Sequence, residues 1–252
     1  MPRIIPVLDV LHGRAVHARG GRREDYRLLH SLLRQGSDPV ALAAALRDAW
    51  RTGELYLADL DAIAGAAPAI GLYQELARLG LATWIDAGLR DATGVKPLLD
   101  AGVSRVVVGL ETLAGSEFLT RIVEVAGASQ VVFSLDLRDG QAIVASGANW
   151  ETVDPRQIAR RAVEAGYATI IILDLGRVGT GRGVGTLDLL RDMVTKYPRV
   201  EWVVGGGVSG NADVEALWRA GAAAVLVGSA IHDGRMTVTT SDPAPGSSPT
   251  AD

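Results

Sequence analysis

Five aspartates at the ends of short apolar runs are the residues of this sequence best suited to acid–base chemistry. They are Asp9, Asp59, Asp86, Asp136 and Asp174. A carboxylate at the end of a buried strand costs folding free energy unless it is solvated, paired or used in chemistry. Two such groups can act as general acid and general base when their environments separate their pKa values. The alternative is that each caps the following loop or pairs with a nearby arginine.

Glycine-rich turns after two neighbouring apolar runs form a second group of candidate residues. They are Gly206 and Gly207 after one run, and Gly228 and Ser229 after the next. Because glycine has no Cβ, backbone N–H groups at such turns can approach an anion closely. The pattern predicts a phosphate site, and a simple tight turn is the alternative at each place.

The corresponding turns in the first half of the chain carry carboxylates where a phosphate would need hydrogen-bond donors. Asp86 begins one of these turns, and Glu111 lies two residues after Gly109 at the other. A negative side chain repels a phosphate, although Arg90 either compensates or is an exposed arginine at a helix start. The sequence therefore predicts one phosphate site and leaves a second one open.

The segment 174–185 has five glycines and two arginines within twelve residues. It lacks the Gly-Lys-Ser/Thr ending of a P-loop. We interpret it as a mobile, cationic loop over the site, with a solvated surface loop as the alternative.

Eight short apolar runs, each followed by a helical pattern, determine the predicted architecture. The runs are Ile4–Leu8, Leu55–Asp59, Thr83–Asp86, Arg105–Gly109, Val131–Asp136, Thr169–Asp174, Glu201–Val204 and Ala224–Gly228. Near-continuous apolar runs are typical of parallel strands buried on both faces. Eight strand–helix units predict an α/β fold, a (β/α)8 TIM barrel of phosphate-binding type. A doubly wound sheet is the alternative, and its first turn would carry Gly-x-Gly-x-x-Gly.

The two halves of the chain resemble each other, which predicts a duplicated half-barrel. Asp9 matches Asp136, and the matched stretches around Gly88 and Gly207 follow in the same order. Active sites of such barrels lie at the C-terminal ends of the strands. We therefore expect Asp9 and Asp136 on opposite sides of the barrel mouth, across a substrate-sized gap.

Composition narrows the class of protein. The 252 residues include 30 glycines, about 12% against an average of about 7%, with no collagen period. The absence of cysteine excludes disulfides, thiolate zinc sites and cysteine nucleophiles. The net charge of −4 argues against a nucleic-acid partner. Without a signal layout or a long apolar stretch, we expect a cytoplasmic protein with no membrane partner.

Two segments fall outside the regular pattern. We expect residues 1–234 to form a single barrel domain and residues 235–252, rich in Ser, Thr and Pro, to be a disordered tail. The arginine-rich segment 19–38 is long for a loop, and loops of that length are usually lids or disordered.

Taken in order, these residues resemble the histidine-biosynthesis (HisA/HisF) barrels, namely the phosphoribosylformimino-aminoimidazole-carboxamide ribotide isomerase and the related cyclase. The matching stretches are Ile5–Asp9 with Gly13 and Gly20, Ser134–Asp136 with Gly140, Gly179-Thr180, Gly205–Ser209 and Val227–Ala230. The resemblance implies a TIM barrel whose substrate carries a phosphate at each end. It adds Gly20, Gly179 and Thr180 to Arg90 and the glycine turns as substrate-binding residues.

In that isomerase, aspartates after the first and fifth strands run an Amadori rearrangement of an aminoaldose to an aminoketose. Carried over, Asp9 is the base that removes the sugar C2 proton and Asp136 is the acid that assists ring opening. No metal or organic cofactor is implied. A glutaminase partner, which the cyclase would need, is not expected.

The chain also departs from the family pattern. Val178 stands where an aspartate usually precedes Gly-Thr, and Leu173 where a small polar residue is common. The segment 86–90 replaces a Gly-Gly-Gly-Ile-Arg motif. These features resemble a divergent branch found beside tetrahydromethanopterin-linked one-carbon metabolism. Two alternatives to the isomerase therefore stay open: an enzyme acting on another phosphorylated metabolite, and a non-catalytic metabolite-binding protein.

Overall fold

The computed structural model describes residues 2–237, and its centre is a closed barrel of eight parallel strands. In chain order, β1–β8 are Arg3–Leu11, Glu54–Asp59, Ala82–Asp86, Arg105–Gly109, Val131–Arg138, Thr169–Asp174, Glu201–Gly205 and Ala224–Val227. Each strand pairs with the next, and β8 pairs with β1 to close the barrel. The predicted TIM barrel is confirmed, and every predicted strand overlaps an observed one.

Helices connect the strands on the outside of the barrel. In chain order, α1–α8 are Pro39–Trp50, Ile70–Arg78, Val95–Asp100, Phe118–Ala126, Pro155–Glu164, Leu187–Lys196, Asn211–Arg219 and Ser229–His232. A further four-residue helix, Leu60–Ile63, directly follows β2. Helices α1 and α5 each begin at a proline, and the side chains of Asp38 and Asp154 cap them. Over residues 2–237, no helix is both long and apolar enough to cross a membrane.

Because successive side chains of a strand point to opposite faces, the apolar core is divided into two layers. One layer fills the barrel and includes Ile5, Trp84 and Ile171. The other lies between the strands and the helices and includes Leu8 and Val106. Because strands in this position are buried on both faces, their sequences read as continuous apolar runs instead of alternating ones.

A charged network closes the N-terminal end of the barrel. Glu201 accepts hydrogen bonds from Arg3, from Arg105 at 3.2 Å and from the hydroxyl of Thr169 at 2.9 Å. The Arg105 guanidinium also lies 4.5 Å over the centre of the Trp84 ring. With this end filled by side chains, the opposite, C-terminal end is the one that is open to a ligand.

Strand β1 continues past the barrel wall into an antiparallel hairpin. His12 and Gly13 both have positive φ, 51° and 69°, and form its two-residue turn. Strand Arg14–His17 then pairs back on β1, and Arg27–Leu28 adds a third strand. The segment 19–38, for which a lid or disorder was expected, therefore contains regular structure that extends one wall of the barrel mouth.

The packed domain extends past its predicted end. Met236 is 3% exposed, and its backbone N–H donates to the Ala230 carbonyl at 2.8 Å. Packed residues therefore continue at least to Met236, two residues beyond the boundary predicted at residue 234. The rest of the predicted tail, from residue 238, lies outside the described residues.

Candidate active site

A cavity at the C-terminal mouth of the barrel collects most of the candidate residues. Three carboxylates predicted at strand ends, Asp9, Asp86 and Asp136, line it from β1, β3 and β5. Strands β1 and β5 are four places apart in a barrel of eight, so Asp9 and Asp136 project from opposite walls. The arrangement expected from the half-repeat is the one the fold produces.

The carboxylate of Asp9 lines the cavity, and the residue is half-buried. Within residues 2–237 it has no hydrogen-bond or ion-pair partner. Burial raises its pKa from an ordinary 3.8 to about 7. Asp9 is therefore close to half-protonated at neutral pH, the condition under which a carboxylate can both take and return a proton.

Asp136 is 2% exposed and is held by two hydrogen bonds. Its Oδ1 is 2.6 Å from the hydroxyl of Ser134, and its Oδ2 accepts the backbone N–H of Glu111 at 3.1 Å. Burial raises its pKa well above the ordinary value, and the nearby charges of Glu111 and Asp86 raise it further. The hydrogen bonds from Ser134 and Glu111 oppose this rise, so the raised pKa of Asp136 comes from burial and the neighbouring carboxylates, an environment suited to a proton donor.

The two remaining strand-end aspartates, Asp59 and Asp174, are loop anchors. Asp59 accepts the hydroxyl of Tyr73 at 2.5 Å and the backbone N–H of Ala69 at 3.0 Å. Asp174 accepts the backbone N–H of Gly176 at 3.0 Å. Neither lines the cavity, because each is one residue out of phase with the inward-facing positions of its strand. For this pair, the loop-capping alternative is the correct one.

The glycine turns after β7 and β8 reach the cavity as predicted. Gly206 and Gly207 have φ of 91° and 87°, which only glycine adopts readily. A Cβ on Gly206 would overlap the Asp174 carbonyl oxygen. Gly228 and Ser229 line the same region of the cavity. Both turns therefore present backbone to the cavity, as a phosphate site requires.

The corresponding turns after β3 and β4 use their backbone donors internally. The N–H of Gly88 donates to Asp86 Oδ1 at 3.0 Å, and the N–H of Glu111 is taken by Asp136. The N–H of Thr112 donates to the Gly109 carbonyl at 3.2 Å. Arg90 is exposed and does not line the cavity; its guanidinium is 3.5 Å from a backbone carbonyl of the helix after β2. The first half thus lacks the arrangement of the second.

The glycine-rich loop after β6 is bonded to the loop after β1. The N–H of Gly20 donates to the Val178 carbonyl at 2.8 Å, and a Cβ on Gly179 would overlap the Ala18 carbonyl oxygen. Val178 and Gly179 line the cavity, whereas Gly20 and Thr180 do not. The Thr180 hydroxyl instead donates to a carbonyl of its own loop, at 2.8 Å. Gly20 and Thr180 thus support the loops that cover the cavity.

The departures from the family pattern lie on the cavity wall itself. Leu173 and Val178 both line it, so the β6 side of the cavity is apolar. Tyr56, on β2, also lines it, and its hydroxyl is 3.5 Å from Asp86 Oδ2. Burial raises the pKa of Tyr56 well above its usual value, so its hydroxyl stays a hydrogen-bond donor.

Sequence reasoning missed three basic side chains at the cavity, His17, His232 and Arg235. The Nε2 of His17 is 2.8 Å from Ser229 Oγ, and Arg235 follows α8 in the segment expected to be disordered. The signal for His17 was the two-residue turn at His12-Gly13, which folds the next residues back alongside β1. For Arg235, the nearby apolar Met236 was the only sign of packing.

Comparison with known proteins identifies the family of this chain. A family model described as "Histidine biosynthesis protein" matches residues 3–237. A Deinococcus radiodurans protein named 1-(5-phosphoribosyl)-5-((5-phosphoribosylamino)methylideneamino)imidazole-4-carboxamide isomerase is 33% identical over 94% of this chain and 96% of its own. The Halobacterium salinarum protein of that name is 31% identical over 93% of each chain. An uncharacterized Methanocaldococcus jannaschii protein is 30% identical over 92% of this chain and 94% of its own. The chain therefore belongs to the histidine biosynthesis protein family.

Proposed function

We propose that this protein is an intramolecular oxidoreductase that converts a phosphorylated aminoaldose to the aminoketose, with Asp9 as base and Asp136 as acid. The observation that carries the proposal is that these two carboxyl groups project into one cavity from opposite walls. Their environments differ, as a division of roles requires. The pKa of Asp9 is about 7, whereas two neighbouring carboxylates raise that of Asp136 further above the value burial alone gives.

The roles follow from those environments. Protonated Asp136 donates its proton to the ring oxygen as the C1–O bond breaks, and the amine nitrogen supplies the electron pair that forms the C1=N bond. Ionised Asp9 then removes the C2 proton, and the C2–H electrons move into a C1–C2 double bond as the nitrogen becomes neutral. Proton return at C1, with loss of the C2 hydroxyl proton, yields the ketose. No external oxidant or reductant is needed.

The relatives support the substrate class. The Deinococcus and Halobacterium proteins are named for a compound with two phosphoribosyl groups. In this chain, the glycine turns at Gly206, Gly207 and Gly228, together with Ser229, are the proposed phosphate site. Bare backbone at adjacent strand ends can surround a phosphate with N–H donors.

A second candidate is an enzyme of the same barrel acting on a substrate with a single phosphate. It is favoured by the turns after β3 and β4, where the N–H groups of Gly88, Glu111 and Thr112 are already used within the protein. The carboxylates of Asp86 and Glu111 also face the cavity there. A dianion at that position would lose donors and meet negative charge.

The test is to assay the purified protein with the compound for which the relatives are named, beside Asp9→Asn and Asp136→Asn. Asp188→Asn is the matched control, because the Asp188 side chain is 93% exposed. We expect turnover by the wild type and the control, with a loss of at least about 100-fold in each active-site variant. Full activity in either variant would refute the assignment of that residue.

Absence of turnover with this substrate, while phosphate still perturbs Gly206 and Ser229, would favour the single-phosphate candidate. Absence of both turnover and anion binding would favour a non-catalytic metabolite-binding protein. Val178→Asp is a useful follow-up, because it restores the aspartate usual at that cavity position. If Val178→Asp gains isomerase activity, the lack of that activity in the wild type is attributable to the valine at this position.

A further inference from the structure

His17 lies close enough to the glycine turns after β7 and β8 to contact an anion bound there. It is the last residue of strand Arg14–His17, and its Nε2 is 2.8 Å from the Ser229 hydroxyl. Both side chains line the cavity beside Gly207 and Gly228. His17 lies in the wall that the β1 hairpin adds to the cavity, and it is half-buried there.

A serine–histidine contact can also indicate a nucleophile. Such pairs are oriented by a third group bonded to the other ring nitrogen. Within residues 2–237, no carboxylate is hydrogen-bonded to the Nδ1 of His17. The pair therefore lacks the third member of a triad, and its place beside two glycine turns fits anion binding better.

The charged and titratable groups around His17 lie on its own segment, in α8 and directly after α8. Arg19 lies on its own segment, His232 lies in α8, and Asp233 and Arg235 follow α8. Arg235 is ion-paired with Asp233 at 2.8 Å and also lines the cavity. The β6 loop approaches His17 at Gly179, where a Cβ would lie 3.2 Å from the His17 Nε2. Burial, with the two arginines, lowers the pKa of His17, and Asp233 opposes them.

We propose that His17 is a phosphate-binding residue that takes up a proton when the anion binds, donating its Nε2–H to an oxygen held between Gly207 and Ser229. The inference rests on the proposed phosphate site and adds to it the side chain that sets its charge. Without a bound anion, burial holds the pKa of His17 below its ordinary value, so the ring is neutral at pH 7 and forms one hydrogen bond with Ser229. A bound dianion favours the imidazolium, since an opposite charge within a few ångströms raises the pKa of a histidine.

A proton taken up on binding makes affinity depend on pH. Between the pKa of His17 in the free protein and its higher pKa in the complex, anion affinity falls by up to about tenfold per pH unit, because one proton is taken up with each anion in that range. Phosphate is a poor probe for this effect, since phosphomonoesters themselves titrate near pH 6. Inorganic sulfate stays dianionic through this range, so its pH dependence reports the protein alone.

The experiment titrates sulfate into the full-length protein by calorimetry from about pH 5.5 to about pH 8.5, a range centred on histidine titration. The His17 ring resonances are followed by NMR over the same range. The variants are His17→Asn, which cannot take up the proton, and Ser229→Ala, which leaves the imidazole in place. His12→Asn is the matched control, because that histidine side chain is 83% exposed and lies at the hairpin turn.

We expect sulfate to raise the pKa of His17 by at least about one unit, equivalent to at least a tenfold change in affinity across the titration. Wild type, His12→Asn and Ser229→Ala should all lose affinity as the pH rises, whereas His17→Asn should bind weakly at every pH. Two results would refute the role of His17 while leaving the phosphate site in place, provided that sulfate perturbs the Gly206 and Gly207 amides. One is that sulfate leaves the pKa of His17 unchanged, and the other is that His17→Asn shows the same pH dependence of sulfate affinity as the wild type. If sulfate perturbs neither these amides nor the His17 titration at any pH, the proposed phosphate site fails, and the role of His17 fails with it.

Discussion

Replacing Asp9 with asparagine is expected to stabilise the protein at alkaline pH while removing its proposed base. The folded-state pKa of about 7 lies above the ordinary 3.8, so the folded protein binds the proton more tightly than the unfolded chain. Stability therefore falls as the pH rises from about 4 to about 7, and stays lower above that range. A shift of about three units corresponds to about 4 kcal/mol, of which about 3 kcal/mol develops between pH 5 and pH 8.

Asparagine does not titrate, so the difference in unfolding free energy between Asp9→Asn and wild type should grow by about 3 kcal/mol from pH 5 to pH 8. Because the comparison uses how this difference in unfolding free energy changes with pH, any pH-independent effect of placing an amide in the cavity cancels. Unfolding in urea, followed by tryptophan fluorescence and circular dichroism, gives the free energies. The exposed Asp188→Asn serves as control and should show a constant difference. An equally constant difference for Asp9→Asn would refute the argument that Asp9 carries an uncompensated burial cost.

Three further predictions concern the mechanism, the closed end of the barrel and the phosphate turns. On whichever substrate is turned over, kcat/KM should rise with pH through about 7 as Asp9 ionises, and a rate independent of pH there would contradict the base assignment. Glu201→Gln should lower the free energy of unfolding in urea by about 1–3 kcal/mol, because Arg3 and Arg105 lose their shared carboxylate; an unchanged midpoint would contradict this. Gly206→Ala should destabilise the protein by about 1–3 kcal/mol more than Gly140→Ala, since both have positive φ but only Gly206 lacks space for a Cβ; equal urea midpoints would count against it.

The barrel could be predicted from sequence because its strands are buried on both faces and its helices have clear starts. Runs such as Thr169–Asp174 are apolar throughout, and α1 and α5 begin at an Asp-Pro pair that caps them. The same burial hides which face of a strand a residue occupies. The sequence could therefore identify five strand-end aspartates but could not separate Asp59 and Asp174 from those that face the cavity.

The rest of the site depends on contacts between distant segments. His17 meets Ser229 only because a two-residue turn fixes the register of the β1 hairpin, and that turn uses His12 in a conformation rare for residues other than glycine. Arg235 reaches the cavity by folding back after α8. Neither contact leaves a periodic pattern in the sequence. The carboxylates at the turns after β3 and β4, by contrast, could be identified in the sequence as Asp86 and Glu111.

The opposite orientation of the two kinds of strand-end aspartate has a consequence for how this barrel can diversify. Side chains that hold the loops, such as Asp59, point away from the cavity, and side chains available for chemistry, such as Asp136, point into it. Asp136 and Asp86 also accept a backbone N–H from the loop after their own or the preceding strand, so substitutions there would alter both recognition and the rim. At an inward position without a loop hydrogen bond, such as Asp9, a substitution can change what is recognised while Asp59 and Asp174 still hold their loops.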